Sequence, residues 1–369
     1  MHLKQTSQES TGLWALAWHR LRSDRVAMLA LGVLAGFLCL ISLSSAGWLA
    51  KDWEEEIGAS YAPPHFIGAP APEIRNDAAT TPLPANSFDP LADVIKELRA
   101  STNVSAPVVL TQNDYGIEDP LAVEMKEIYA ELAKKGQVAV RERRATLPFG
   151  ADKWGHDVLK KTLKGAETSI IVGLLAAFLA TLIGTIFGAV AGYFGGWCDD
   201  FFNWFYSIFT SIPYLLLILS VAAVLQQKGI TTIILILALT GWTGPFRLIR
   251  GEYLKHRSRE YVWAADAIGA SHLRKMFVHI FPNVSHVALV QVSILVVSFI
   301  KSEVILSFLG FGVPVGVVSW GSMLNEAQNE LILGKWWQLF AATAAMAMLV
   351  TAFSLFTDAL RDALDPKLK

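Results

Sequence analysis

Long uncharged stretches alternate with short charged ones along most of this chain. The first apolar run, 26–50, has no charged residue and is long enough to cross roughly 30 Å of hydrocarbon as a helix. Five later runs are also long enough, and each predicts a membrane-spanning helix: 168–190, 201–224, 229–246, 284–300 and 336–357. The pattern therefore predicts an all-α polytopic membrane protein with six transmembrane helices.

A seventh uncharged run, 304–325, departs from this pattern. Arginines precede the first run, and Lys and Arg lie near the C-terminus, so both ends are expected in the cytosol. Two cytosolic ends require an even number of crossings. We therefore expect 304–325 to be a re-entrant or surface segment on the outer side, as its helix breakers also indicate: Gly310, Gly312, Pro314, Gly316 and Gly321.

A polar insert separates the first two apolar runs, and we assign it to 51–165 on the extracytoplasmic side. Its first part is rich in Pro and Ala, which favours extended chain, while 91–100 and 120–135 have helical periodicity. It is either a solvated subdomain or a docking surface for an extracytoplasmic partner. The other boundaries are a cytoplasmic N-terminus at 1–25, a core at 166–358 and a cytoplasmic C-terminus at 359–369.

The longest charged interval of the second half, 247–283, lies between the fourth and fifth predicted spans. From Arg247 to Lys275 it contains seven Lys or Arg against three acids, which places it in the cytosol. Its pattern predicts a helix capped by Ser258, a left-handed turn at Gly269 and a second helix capped by Ser271. The first helix would carry three residues on one face: Tyr261, Ala265 and Ile268.

Polar residues inside the predicted spans are candidates for a translocation path. Each either joins neighbouring helices or lines a water-filled passage, because an unsatisfied polar group in hydrocarbon is costly. For Glu303 and the nearby Lys301, snorkelling or an interhelical pair is the main alternative to a contact with solute. The candidates are Asn203, Ser207, Thr210, Ser211, Thr240, Thr243, Gln291 and Glu303.

Enzymatic and metal-binding patterns are missing from the sequence. The chain has no G-x-x-x-x-G-K-S/T loop for ATP, no G-x-S-x-G, no H-E-x-x-H and no C-x-x-C. Cys39 and Cys198 lie far apart, and His279 and His286 are separated by Pro282, so neither a disulfide nor a metal site is expected. A secondary transporter should show inverted repeats and a membrane enzyme a nucleophile with its base, and the sequence shows neither.

The charged interval 247–283 resembles the cytoplasmic loop of importer-type ABC permeases, E-A-A-x3-G-x9-I-x-L-P. The chain has Trp263-Ala264-Ala265, then Gly269, then H-I-F-P at 279–282. Trp263 stands where the family has an acid, although Glu260 and Asp266 lie one turn to either side. Four further segments and the tail resemble the C-type permease of the peptide-importer branch: 150–159 (G-A-D-K-W-G-H-D-V-L, with His156 in place of arginine), 191–197 (A-G-Y-F-G-G-W), 306–312 (L-S-F-L-G-F-G), 319–324 (S-W-G-S-M-L) and 360–366 (L-R-D-A-L-D-P).

The resemblance implies a type I ABC importer permease in the bacterial inner membrane. A second, B-type permease, one or two cytosolic ABC ATPase subunits, an extracytoplasmic solute-binding protein and membrane lipid would be its partners, without nucleic acid. ATP and Mg²⁺ would be used by the ATPase subunits, and this chain would bind no cofactor and catalyse no reaction. Di- or oligopeptides are the expected cargo, with nickel, glutathione or another non-peptide solute as alternatives.

The resemblance also implies which residues couple the permease to ATP hydrolysis. The loop would lie as a short coupling helix in a groove of one ATPase, and its movement would switch the helices between inward- and outward-facing states. The residues expected at this contact are Glu260, Tyr261, Trp263, Ala264, Ala265, Asp266, Gly269, Ala270, His279, Pro282 and Asn283.

Overall fold

A computed structural model describes residues 13–68, 143–314 and 316–364 of the 369-residue chain. The two helical periodicities noted at 91–100 and 120–135 lie outside these residues. The described part is helical, with three isolated β-bridges and no longer strand. Its helices are α1 (Leu13–Ser23), α2 (Arg25–Ser45), α3 (Val158–Phe194), α4 (Gly196–Thr210), α5 (Tyr214–Leu225), α6 (Ile230–Gly241), α7 (Thr243–Arg257), α8 (Glu260–Ala267), α9 (His272–Phe308), α10 (Trp320–Ile332) and α11 (Trp337–Leu364).

The membrane-spanning helices confirm the all-α polytopic class predicted from the sequence. Among the described residues, α2, α3, α9 and α11 are each long and apolar enough to cross a membrane alone. Two bent pairs, α4 with α5 and α6 with α7, meet the same criterion together. Counting each bent pair as one span gives six, with α8 and α10 as additional short helices outside them.

Two of the spans that the sequence marks as single apolar runs are bent in the structure. α4 and α5 meet at 87°, within the stretch 201–224 that the sequence assigns to a single helix. Pro213 causes this break, because proline lacks a backbone N–H and disfavours helical backbone at the residue before it. α6 and α7 meet at 42°, and α7 continues to Arg257, well beyond the expected end at 246.

Several helices are longer than their apolar centres indicated. α3 begins at Val158 rather than at 168, because the Asp157 carboxylate caps it by accepting hydrogen bonds from the Leu159 and Lys160 amides at 2.8 and 3.4 Å. At 37 residues α3 is roughly 55 Å long, so it extends past the hydrocarbon. α9 begins at His272 rather than at 284. Hydropathy therefore locates the buried middle of a span, while capping residues set its ends.

Glycines on α3 bring it into backbone contact with α7. Gly184, Gly188 and Gly192 recur every four residues and so lie on one face. A Cβ at Gly188 would lie 2.8 Å from the Phe246 carbonyl oxygen and 2.9 Å from the Arg250 amide nitrogen. Since both neighbours are backbone atoms, no side-chain rotation makes room for it. The small-residue pattern of the second span is thus the packing surface for the fourth.

The segment between α9 and α10, described at 309–314 and 316–319, turns back onto the end of α9, where the Phe311 amide donates to the Leu306 carbonyl at 2.9 Å. Gly310 and Gly316 have φ of +85° and +88°, a conformation that residues with a Cβ avoid. A Cβ at Gly321 would lie 2.5 Å from the Val304 carbonyl oxygen. The Trp320 indole N–H donates to the Thr162 carbonyl at 3.1 Å. The glycines therefore serve a tight turn and close contact, and α10, with 13 residues, is too short to span.

The two described ends of the polar insert pair with each other and form what we call the neck, residues 57–68 and 143–157. Gly58 bridges Arg144, and Pro64 bridges Leu147. The neck is attached to the last span, because the Trp337 indole N–H donates to the Ala151 carbonyl at 2.6 Å. Residues 70–142 thus connect two segments, 57–68 and 143–157, that are already paired with each other.

Replacing residues 70–142 by a Gly/Ser linker of about ten residues should leave a folded permease. Such a linker reaches roughly 33 Å, and shortening a loop lowers its closure cost by about 0.6 kcal/mol for each halving. We expect abundance and thermal midpoint in detergent to stay near those of the intact protein. Gly155→Val is the control that should lose folded protein, because Gly155 has a φ of +92° and its Cβ would collide with the Gly58 carbonyl. Loss of folded protein on excision would contradict this view of the insert.

Candidate coupling surface

The charged interval begins where α7 ends, and its first cap differs from the one predicted. Ser258 does not cap α8; its hydroxyl donates back to the Lys255 carbonyl at 3.2 Å and closes α7. α8 starts after Arg259, which has extended backbone and makes no side-chain cap. The prediction of a Ser258 cap is therefore wrong, because a hydroxyl beside one helix end also serves the end of the helix before it.

The turn between α8 and α9 is the one that the sequence predicted. Gly269 has a φ of +80°, and a Cβ there would have no heavy atom within 4 Å. Ser271 caps the next helix by accepting a hydrogen bond from the Arg274 amide at 3.4 Å. The left-handed backbone explains the glycine, because other residues pay a steric cost in that conformation. The turn is open to solvent and has room for a side chain.

A small apolar cluster fixes the hairpin to the core. Val262 of α8 packs with Tyr253 and Met276, and Ala265 is buried on the same helix. The Tyr253 hydroxyl is buried and donates to the Met276 carbonyl at 3.0 Å. Of the two alanines in the resembling motif, only Ala264 is therefore on the outer side of α8. The expected face of Tyr261, Ala265 and Ile268 is not the buried one, since Tyr261 and Ile268 are exposed.

Polar pairs hold the two arms of the hairpin in register. Asp266 of α8 forms an ion pair with Lys275 of α9, and this hydrogen bond lowers the pKa of the Asp266 carboxyl. The Tyr193 hydroxyl lies 2.9 Å from the His272 imidazole, and the Tyr261 hydroxyl lies 2.8 Å from the His256 imidazole. The hairpin is thus linked to α3 and α7 as well as to itself, so it can move with them as a unit.

The outward side of the hairpin is apolar, although the interval as a whole is basic. Ile268 is 81% exposed and Trp263 is 62% exposed, and both lie beside the open turn. Monomeric surfaces expose single apolar residues commonly, but a group confined to one small hairpin is typical of a contact with another protein. We call this group the outer hairpin face: Tyr261, Trp263, Ile268, Leu273, Phe277 and Val278.

The remaining residues expected at the contact lie around this face. Glu260 and Asp266 are exposed, and Ala270 and His279 are half-buried. Pro282 and Asn283 are also exposed, and the Asn283 amide donates to the His279 carbonyl at 2.9 Å.

Pro282 lies in the first turn of the α-helical stretch Phe281–Phe308, where its missing backbone N–H costs least. The π-helical stretch Lys275–Ile280 precedes it, and together they belong to the one long helix α9. His279 and His286 thus share one helix. Within the described residues, no group of three or more His, Cys, Asp or Glu could hold a metal.

The hydroxyl residues of the third span lie on the surface of the chain. Ser207 and Ser211 each donate to the carbonyl four residues earlier, at 2.8 and 2.6 Å, and Thr210 to that of Tyr206 at 3.1 Å. The Asn203 amide donates to the Asp199 carbonyl at 2.7 Å. α4 has no buried residue, so this polar face is free to meet water or another subunit. The structure brings these four residues together on one helix.

The other path candidates are mostly enclosed within the chain. Thr240 is buried and its hydroxyl donates to the Ile236 carbonyl at 2.7 Å, while Gln291 is buried on α9 and Thr243 is half-buried. Glu303 is 0% exposed and accepts hydrogen bonds from the hydroxyls of Ser169 and Ser307 at 2.6 and 2.7 Å. It joins α3 to α9 rather than facing an opening, and Lys301 is not its partner.

One pair that matters for the hairpin was not recognised in the sequence. Arg250 of α7 binds both carboxylate oxygens of Asp199 at 2.5 and 2.6 Å, which ties the start of α4 to the helix leading into the hairpin. Two-point contact of this kind fixes orientation as well as distance. The sequence does place Asp199 and Arg250 as charged residues at the ends of apolar runs. Their pairing depends on how the helices pack, so the sequence alone does not reveal it.

Two family models match the chain. One, described as the inner membrane component of binding-protein-dependent transport systems, matches residues 184–369, which include the hairpin and the spans around it. The other, the N-terminal transmembrane domain of oligopeptide transport permease C, matches residues 12–64. Residues 65–183, with the greater part of the insert, lie outside both models.

Several permeases are similar to the chain over 221 residues, 60% of its length. A dipeptide transport system permease protein of Bacillus subtilis is 39% identical, and the match covers 69% of that protein. An oligopeptide transport system permease protein of the same organism is 38% identical, with 72% of its length covered. A glutathione transport system permease protein of Salmonella typhimurium is also 38% identical, again with 72% covered.

Proposed function

Because the chain belongs to the inner membrane components of binding-protein-dependent transport systems, as a C-type permease of the peptide-importer branch, we propose that its cargo is dipeptides or oligopeptides. It is a multi-pass inner membrane protein and one permease subunit of an ATP-driven importer. The names of the two Bacillus subtilis relatives support peptides. The Salmonella typhimurium relative favours glutathione, itself a small peptide, as the second candidate.

Competition for uptake distinguishes these cargoes. Cells or proteoliposomes with the complete importer take up a labelled tripeptide, and unlabelled dipeptide, oligopeptide or glutathione is added in excess. We expect excess unlabelled dipeptide or oligopeptide to displace the labelled tripeptide and lower its uptake. Displacement by glutathione alone would favour the second candidate, and displacement by nickel alone would contradict both.

The partner assembly is also part of the proposal. We infer a B-type permease beside this chain, one or two ABC ATPase subunits in the cytosol, and a solute-binding protein outside. The termini and the hairpin are then cytosolic, and ATP with Mg²⁺ is bound by the ATPase subunits. The single observation that carries this is the outer hairpin face, where Ile268 and Trp263 are exposed beside a rigidly held turn. Co-purification of an ATPase with the tagged chain tests it directly.

The exposed hydroxyl face of α4 supports a path between two permeases. Ser207, Thr210 and Ser211 satisfy their own donors within the helix, so they can face water without unpaired groups. An opposed B-type permease would enclose this face and leave a polar passage. The buried Glu303 is then a structural link within one half, not a group that meets the solute.

Ile268→Glu should weaken the ATPase contact while leaving the permease intact. Ile268 touches solvent in this chain, so a carboxylate costs little there until a partner buries it. Enclosing an unpaired charge then costs about 1.4 kcal/mol or more, which is a tenfold loss of affinity. The measurement is the fraction of ATPase retained on the tagged permease in detergent.

The matched control is Ile332→Glu on α10. Ile332 is 84% exposed, as open as Ile268, but lies between the fifth and sixth spans, away from the hairpin. Equal ATPase retention by the two variants would mean that the outer hairpin face is not the docking surface.

A further inference from the structure

A buried ion cluster lies where α3, α10, α11 and the neck meet. The Lys161 ammonium donates to the Asp152 and Glu326 carboxylates, both at 2.6 Å. The His156 backbone N–H and imidazole contact the same Asp152 carboxylate, each at 2.9 Å. Burial alone would raise the pKa of Asp152, but His156 and Lys161 hold it below its usual range. These groups form a satisfied set, in which each charge has its partners.

Glu330 adjoins this set and has no such partners. It lies one helical turn after Glu326 on α10, so the two carboxylates share a face. Only 1% of Glu330 is exposed, and neither carboxylate oxygen has a hydrogen-bond partner among the described residues. The Gln338 carbonyl oxygen is also buried without a partner, although the Gln338 amide nitrogen donates to Met323 and Glu326. The Lys153 backbone N–H opposes the effect of burial on the pKa of Glu330, but it completes no hydrogen bond to either carboxylate oxygen.

The charges around Glu330 do not compensate for its ionisation. Lys161 supplies one positive charge and pairs with both Asp152 and Glu326, so it has no free charge for a third carboxylate. The other nearby cations face elsewhere: the Lys153 ammonium lies 5.3 Å from the Trp154 ring centre, and the Lys335 ammonium 5.5 Å from that of Trp337. An ionised Glu330 would be an uncompensated negative charge, and burying an unpaired charge is strongly unfavourable.

We propose that Glu330 is a proton-binding site, held as a neutral carboxylic acid while α10 is packed against α3, α11 and the neck. The neutral acid carries an O–H donor, which an environment of unpartnered acceptors lacks. Release of the proton places a carboxylate in the packed interface, so it favours separation of α10 or entry of water. The site therefore links proton concentration to the packing of this end of the bundle.

The direction of the pH dependence follows from the same burial. Desolvation raises the pKa of Glu330 from 4.5 to about 7. Between these values the folded chain holds a proton that the unfolded chain releases, so stability falls as pH rises through this range and levels off above about 7. Protonation itself depends only on this packing. That the proton comes from the extracytoplasmic solution rests on the proposed topology.

Infrared difference spectra of the reconstituted importer test the proton directly. A protonated carboxylic acid has a C=O band that a carboxylate lacks, and we expect this band at pH 5.5 and its loss at pH 8.5. Glu330→Gln should remove the band, while Glu54→Gln, which changes an exposed acid, should keep it. Identical difference spectra for the wild-type and Glu330→Gln complexes would overturn the proposal, whatever the side of the membrane and whatever the cargo.

Thermal unfolding of the complete complex provides a second readout. The wild-type midpoint should fall by roughly 5 °C between pH 5.5 and pH 8.5 relative to Glu330→Gln, the order expected for the loss of a proton from one buried acid. Two results together would overturn the proposal in favour of a metal cation at this site. They are a midpoint at pH 8.5 that rises with added sodium or potassium only when Glu330 is present, and no acid band at pH 5.5.

Discussion

A Gly269→Asp permease should insert, fold and retain its ATPase subunits, yet hydrolyse ATP with little import of solute. Gly269 has a φ of +80° and open space where a Cβ would be, so the change meets no neighbour. Aspartate enters left-handed backbone more readily than most residues, and the strain is on the order of 1–2 kcal/mol. The fold therefore survives, while the angle and charge of the turn between α8 and α9 change.

Loss of coupling is expected because the hairpin is a rigid connection. Asp266 and Lys275 join its arms, and Arg250 with Asp199 orients the helix that leads into it. Solute imported per ATP hydrolysed should fall roughly tenfold or more, the order of a typical coupling free energy between two sites. Uptake and ATPase activity, measured together in proteoliposomes, give this ratio.

Gly334→Asp separates coupling from backbone strain. Gly334 lies between α10 and α11, has a φ of +75° and likewise has no heavy atom within 4 Å of a Cβ. The same substitution thus imposes the same local cost at the other end of the spans. If Gly269→Asp imports solute normally, or if the two variants lose the same activity in proportion to their abundance, the hairpin has no coupling role beyond ending a helix.

Gly188→Val should strongly lower the stability of the folded permease, the largest effect on stability that we expect. Its side chain would displace the α7 backbone, because the Phe246 carbonyl and the Arg250 amide leave no room for a Cβ. Overpacking of this kind costs about 3 kcal/mol when the neighbours cannot move, a large share of the roughly 5–15 kcal/mol by which proteins are stable. Moving α7 would also shift the hairpin that follows it.

Abundance and thermal midpoint in detergent measure this effect. The control is Gly251→Val on α7, a helical glycine with nothing within 4 Å of its Cβ position. The change from glycine to valine alters helix propensity similarly at both positions, so only the contact differs. A Gly188→Val permease as abundant and as heat-stable as Gly251→Val would show that α3 and α7 can separate freely.

Much of the candidate coupling surface was readable from the sequence because it depends on local chemistry. A left-handed turn favours glycine because of local sterics, and Ser271 caps the helix that starts beside the turn at Gly269. The Ser258 cap failed because two helix ends compete for one hydroxyl. Which motif alanine faces outward was also hidden, since Ala264 and Ala265 are chemically identical and only their burial in the fold distinguishes them.

The candidates for the translocation path show what residue type and hydropathy alone do not determine. Hydropathy marks Ser207 and Glu303 alike as polar residues within apolar runs. The structure leaves Ser207 on the surface of α4 and encloses Glu303 between Ser169 and Ser307. Ser307 lies four residues further along the same helix, at a spacing that the sequence shows, but Ser169 comes from another helix 134 positions away, and no spacing rule identifies it.

By itself, the sequence determined the all-helical membrane class, the hairpin with its turn and the family, because each depends on residues close together along the chain. Only the tertiary structure decided the contact between α3 and α7, the pairing of the two segments of the neck and the burial of Glu330 without a hydrogen-bond partner. Those features arise where distant segments compete for the same space and the same hydrogen bonds. Packing of the helices decides which partners pair, because burial removes the water that would otherwise hydrogen-bond to each polar group separately.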